Sequence, residues 1–293
     1  MNAIDVQGRF FMVAIMLSLS VSLFVPFPSL EIQLLVMLVL VIVLGVPHGA
    51  LDLVFAKQLL SLHTRSGWLA FLIAYLLLAG LVVLIWRSFP RAFLLGFLAI
   101  SMFHFSGDLK GRAPLPLSLL YGGGIIILPA VFHSEQLGLL FSVLIGSTEG
   151  RTVADALHAI AWPWLAVTGV AAVWIAKQNP GAALETISVA AALVCMPPIL
   201  GFTLYFCLMH SVRHVLRTKQ FAQVSWRTLF WIASGPVMGT LVLGYLGWHY
   251  LADSGLTATI VQIVFVGLAA LTVPHMALIE RVRWHPHAWE SMP

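Results

Sequence analysis

Residues 31–54 read EIQLLVMLVLVIVLGVPHGALDLV. From Leu34 to Val46 nothing is charged or strongly polar, and the whole stretch 31–54 exceeds the ~20 residues that a helix needs to cross the hydrocarbon of a bilayer. The same stretch closes on Pro47-His48-Gly49-Ala50-Leu51-Asp52. An imidazole and a carboxylate in such surroundings are costly, and mark a candidate site by default.

Comparable apolar segments recur near residues 9–28, 67–86, 90–106, 115–133, 157–176, 182–208, 226–250 and 257–280. Pro, Gly and charges mark the joints, at Pro26-Phe27-Pro28, Arg65-Ser66-Gly67, Arg87 to Arg91, Lys110 to Pro114 and Gln178-Asn179-Pro180-Gly181. The segments are apolar all round and lack the ~10-residue alternation of a membrane barrel. Of the 293 residues, 60% are hydrophobic and 9% are charged, against about 25% charged in soluble domains. So few charges cannot cover a water-facing surface. The pI near 9.3 reflects scarce acids, not a dense basic face, and argues against a nucleic-acid partner. Cys195 and Cys207 form no CxxC and no disulfide framework. The N-terminal apolar stretch is expected to be a retained span, not a cleaved signal. The expectation is all-α: a polytopic integral membrane helical bundle of about 8–10 transmembrane helices, one membrane-embedded domain over 1–293.

Residues 115–147 make the helix count depend on whether they cross twice or dip without crossing. Charge decides the parity. An even count puts 12 of the 15 Lys and Arg on the side of the basic loop after His210, leaving Arg87, Arg91 and Lys177 opposite. Nine crossings would give nine and six. Eight or ten crossings, with both termini cytoplasmic, is therefore the expected topology, in the cell (inner) membrane.

The chain has 11 His against five Asp and six Glu. Four clusters stand out: GVPHGALD (45–52), FHFSGD (103–108), HSVRH (210–214) and VPHM (273–276). Residues i and i+4 of a helix share a face, so His210 and His214 can offer two imidazoles to one metal ion. Asp52 and Asp108, each four residues after a His, can accept the second ring N–H of that ligand or of a neighbour. The even count places all four clusters toward the cytoplasmic side. Imidazole suits Zn, Cu, Fe and Ni. Neutral imidazoles with no directly coordinating carboxylate favour an ion with open positions for a small ligand such as O2, and iron(II) is the choice. Arg213 is expected to snorkel to the headgroups. His63, His133, His158 and His249 are read as helix-end or interfacial residues, and Trp284-His285-Pro286-His287 as an interfacial tail. Gly122-Gly123-Gly124 lacks the context of a phosphate loop and reads as close helix packing or a helix break.

Taken together, these four motifs resemble the Brp/Blh family of bacterial and archaeal β-carotene 15,15'-dioxygenases, in order, spacing and hydrophobic context over most of the chain. The resemblance implies an integral-membrane, Fe(2+)-dependent enzyme that cleaves β-carotene with O2 at the central 15,15' double bond, giving two all-trans-retinal molecules. It implies His48, His104, His210 and His214 as iron ligands, with His275 a fifth ligand or a pocket residue. Phe55, Phe103, Phe105, Tyr205 and Phe206 are candidate walls for the substrate. Membrane lipid is the medium that delivers it, and a retinal-binding opsin is a candidate product acceptor. Two alternatives stand beside this one. A haem-binding electron carrier would want His pairs at two depths. Another membrane non-haem iron oxygenase acting on a lipid, of the di-iron kind, would want several HxxxH and HxxHH boxes, and HxxxH occurs once here.

Overall fold

The computed structural model describes residues 2–109 and 113–283. The joint at Lys110–Arg112 and the tail Trp284-His285-Pro286-His287 lie outside the described residues. In chain order the helices are α1 (Ala3–Ser22), α2 (Leu30–Leu40), α3 (Val46–Ala50), α4 (Asp52–Leu59), α5 (Arg65–Ser88), α6 (Pro90–Phe105) and α7 (Leu115–Ile127). They continue as α8 (Ala130–Ile145), α9 (Ser147–Ala176), α10 (Pro180–Cys195), α11 (Pro198–Leu204), α12 (Val212–Ala222), α13 (Trp226–Leu251) and α14 (Leu256–Arg283). Two π-helical stretches, Val41–Gly45 and Tyr205–Ser211, join α2 to α3 and α11 to α12. No strand occurs among the described residues.

Seven helical stretches are long and apolar enough to cross a bilayer: Ala3–Ser22, Leu30–Leu59, Arg65–Ser88, Ser147–Ala176, Pro198–Ala222, Trp226–Leu251 and Leu256–Glu280. The pair α7 and α8, bent by 60°, makes an eighth if it is one broken span. Large apolar side chains such as Leu77, Phe230 and Trp231 point outward, a surface that lipid covers and water does not. The protein is an all-α, polytopic membrane protein. Two apolar segments differ from the sequence reading. The segment 182–208 is not one span: Met196 is extended (φ −101°, ψ 153°), as the residue before a proline prefers, and Pro197-Pro198 starts a new helix. Secondly, the helix expected over 157–176 begins at Ser147, because Gly146 (φ +102°) turns the chain sharply out of α8. His158 therefore lies inside α9, where its Nδ1–H donates to the Ala130 carbonyl at 2.7 Å.

The described chain forms two compact units, one of residues 1–37 and 90–210, the other of residues 38–89 and 211–293. In the first unit, α8 packs along α9, α6 along α7, and α9 also meets α7 and α10. The contact of α6 with α7 is backbone to backbone at Gly122, whose position leaves no room for a Cβ. Trp164 lies against Gly123 and its indole N–H donates to the Leu120 carbonyl at 3.0 Å. On α1 the buried residues Gln7, Gly8, Phe11 and Ile15 form one stripe. Gln7 uses its amide to reach the Leu208 carbonyl at 2.7 Å. That carbonyl lies in a π-helical turn, where the displaced ladder leaves acceptors that a neighbouring helix must satisfy in a dry environment.

In the second unit, α5 packs on α14 and α13 on α3. Ala50, Leu51 and Val54 pack with Leu229 and Ala233, and Phe55 and Ala56 with Leu278. The π-helical stretch Val41–Gly45 directly precedes Pro47. Proline has no N–H and its ring crowds the carbonyl four residues back, so the widened turn lets the chain continue as helix through His48. Leu51 (φ −77°, ψ −1°) then interrupts it before Asp52.

Candidate functional site

In the first unit, Ser106 closes the end of α6 by donating its hydroxyl to the Phe103 carbonyl at 2.6 Å. The single 3₁₀ turn Ser106–Asp108 that follows carries Asp108 into the interior, 5% exposed. Asp108 Oδ2 accepts two hydrogen bonds, from the Tyr205 hydroxyl at 2.6 Å and from His210 Nδ1–H at 2.7 Å. His210 is held on its faces too: Phe206 stacks on it at 5.5 Å and Phe105 meets it edge-on at 5.1 Å. His104, half-buried at the end of α6, brings its Nε2 to 3.0 Å from His210 Nε2.

In the second unit, His48, His214 and His275 form a cluster with ring centres 5.2 to 5.5 Å apart. His48 Nδ1–H donates to the Gly45 carbonyl, and the Ser211 hydroxyl lies 3.2 Å from the same nitrogen. Asp52, 2% exposed, is bridged: Oδ1 accepts from His275 Nδ1–H at 2.6 Å and Oδ2 from the Tyr75 hydroxyl at 2.9 Å. His214 Nδ1 lies 3.4 Å from Thr218 Oγ1, while that hydroxyl donates to the His214 carbonyl at 2.9 Å.

A common rule runs through both units. His48, His210 and His275 each have Nδ1 turned to a carbonyl or carboxylate oxygen, which can only accept, and this puts the ring proton there and the lone pair on Nε2. That is how a protein sets the tautomer and aim of an imidazole that ligates through Nε2. The spacing fits an ion as well. Ligand atoms about 2.1 Å from one ion at right angles lie roughly 3.0 Å apart, with ring centres about 5 Å apart. His104 and His210 meet both conditions, at 3.0 Å between nitrogens and 4.7 Å between rings. Without an ion, the same pair is a hydrogen bond from His104 Nε2–H to His210. The donor set in each unit is thus all imidazole, backed by carboxylate, hydroxyl or carbonyl, and suits a divalent transition metal.

The two carboxylates do not serve the histidine four residues before them. Asp52 holds His275, not His48, and Asp108 holds His210, not His104. Among the aromatic candidates, Phe105 and Phe206 line His210, and Phe55 lies 5.8 Å from His214 and stacks on Phe221 at 5.1 Å. Tyr205 is wholly buried and bound to Asp108, whereas Phe103 is 48% exposed. Arg213 does not snorkel: it is 0% exposed, on the inner face of its helix. The sequence reading missed Tyr75 and Thr218. Tyr75 had a legible signal, as the one hydroxyl between Ser66 and Ser88 in an otherwise apolar span.

Residues 39–283 match the protein family described as Beta-carotene 15,15'-dioxygenase. The chain belongs to this family. All five clustered histidines fall within the matched span. A Beta-carotene 15,15'-dioxygenase of an uncultured marine bacterium is 32% identical over 263 residues, covering 84% of this chain and 92% of the relative. A second relative of this β-carotene 15,15'-dioxygenase family member is the Probable beta-carotene 15,15'-dioxygenase Blh of Halobacterium salinarum. It is 24% identical over 277 residues, covering 81% of this chain and 80% of the relative. No solved structure matches the chain.

Proposed function

We propose that this protein cleaves β-carotene with O2 at the central 15,15' double bond to give two molecules of all-trans-retinal. In this reading an Fe(2+) ion is held by His48, His104, His210 and His214, with His275 as the fifth ligand. The protein works in the cell (inner) membrane, with both termini cytoplasmic. The observation that carries the metal half of the reading is the shared Nδ1 commitment of three buried imidazoles, His48, His210 and His275. The family supplies the reaction class, a carotenoid-cleaving dioxygenase.

When bound, iron would supply the activation of O2 that a spin-paired polyene needs. The chain's own residues do the rest. His104 and His210 present adjacent nitrogens, and Asp108 keeps His210 from turning. Asp52 does the same for His275. The hydrocarbon walls around His210, Phe105 and Phe206, exclude water and offer apolar contact to a polyene, which brings no polar group of its own. No side chain has to act as general acid or base, since cleavage of a C=C bond into two carbonyls moves no proton.

The direct test is expression in cells that accumulate β-carotene. Loss of orange colour with retinal appearing at two molecules per carotene lost is expected. Retained carotene with a Soret band in the purified protein would instead favour a haem carrier. A second prediction concerns Asp52. In Asp52→Asn the amide oxygen still accepts from His275, but the charge is lost and the amide can no longer accept from Tyr75 at Oδ2. Iron affinity should fall about 10–100-fold, as for other residues that back a metal-ligating histidine. Iron content after dialysis measures it, and full activity at limiting iron would exclude this role.

A further inference from the structure

The two units repeat one device: a tyrosine hydroxyl, a buried carboxylate and an imidazole Nδ1–H in series. They are Tyr75–Asp52–His275 at 2.9 and 2.6 Å, and Tyr205–Asp108–His210 at 2.6 and 2.7 Å. The first is the more telling, because of where the tyrosine comes from. α5 is the most lipid-exposed of the long helices, with Val82 its one buried residue. Tyr75 is half-buried at its middle, and a phenol placed there without a partner would cost free energy that Phe or Leu would not. Its hydroxyl reaches Asp52 at 2.9 Å, with the Leu271 carbonyl farther away at 3.4 Å. A carboxylate can turn about its last bond, exchanging its oxygens. With Oδ2 held by Tyr75 and Oδ1 by His275, that rotation breaks two hydrogen bonds at once.

We propose that Tyr75 is a positioning residue for the metal centre: it locks the Asp52 carboxylate so that the His275 ring keeps one tautomer and one aim. Tyr205 performs the same task for His210 through Asp108. This rests on the reading of His275 and His210 as metal ligands. The Tyr75 hydroxyl reaches His275 only through Asp52, so its loss acts on metal binding before it acts on chemistry.

The test uses the full chain, purified without metal in lipid nanodiscs and titrated with Co(2+), whose visible bands report ligand geometry. Tyr75→Phe should weaken Co(2+) binding about 3–10-fold, less than loss of a residue bonded directly to a ligand, and should shift the ligand-field bands. Activity should fall at limiting iron and recover at saturating iron, with KM for β-carotene unchanged. Combined with Asp52→Asn, Tyr75→Phe should add no further loss of affinity, because both act through one carboxylate. Unchanged Co(2+) affinity and bands in Tyr75→Phe, whatever its thermal stability, would overturn the assignment. A wild-type protein that binds no Co(2+) or iron would instead overturn the metal centre on which it rests. Should Tyr75→Phe not accumulate, 3-fluorotyrosine at position 75 preserves the packing and alters only the donor. Shifted bands are expected from it, and unshifted bands overturn the proposal equally.

Discussion

Replacing His210 with alanine is expected to reduce retinal formation to background, a loss of about three orders of magnitude or more, or roughly 4 kcal/mol of barrier. His210 is 2% exposed, gripped at Nδ1 by Asp108, stacked by Phe206 and met at Nε2 by His104. Its removal would take one hydrogen bond from Asp108 and the 3.0 Å nitrogen contact from His104. His48→Ala, His104→Ala and His214→Ala should have the same outcome. None should prevent membrane insertion, because the apolar spans that drive insertion are untouched. Retinal measured by chromatography, beside the iron content of each purified variant, is the check. Near wild-type turnover with iron still bound in two of the four would remove those two from the ligand set.

A second large effect is expected where no functional group is involved. In Gly122→Ala the new Cβ would stand 2.1 Å from the Met102 carbonyl oxygen and 2.7 Å from the Ser106 nitrogen. Both are backbone atoms, on either side of His104, and cannot swing aside as a side-chain tip can. α6 and α7 must separate, and the end of α6 that carries His104 and the turn that carries Asp108 move with them. Overpacking of this kind costs about 1–3 kcal/mol or more, and retinal formation should fall at least ten-fold. Gly124→Ala is the matched control, since its Cβ meets the Leu128 side chain at 3.4 Å, an ordinary contact. Equal melting temperatures and turnover in the two variants would show that the close approach of α6 and α7 does not govern the site.

Much of this is legible in the sequence alone. Segments as apolar as 31–54 can only be membrane helices, because their length and polarity leave the backbone no other way to satisfy itself in lipid. The histidines drew notice for the same reason, imidazoles being rare and expensive in such surroundings. Spacing left the partners open. A carboxylate four residues after a histidine can serve that histidine or a neighbour, and each went to a histidine far along the chain. The interruption at Leu51 and the 3₁₀ turn at Ser106 rotate both aspartates off the regular helical face, and no local rule foresees where they then point. Arg213 shows the same limit. A long cationic side chain defaults to the headgroups, yet the face of the helix it occupies is turned inward, and only packing sets that face.

The sequence by itself therefore determined the class of fold and the kind of donor atoms, since both follow from what lipid tolerates one segment at a time. Tertiary structure alone decided which oxygen holds which imidazole, that Tyr75 and Tyr205 pin the two carboxylates, and that Gly122 admits a neighbouring backbone. These are relations between residues up to 223 positions apart, fixed by helix packing, and a chain read in order carries no distance information across such a gap.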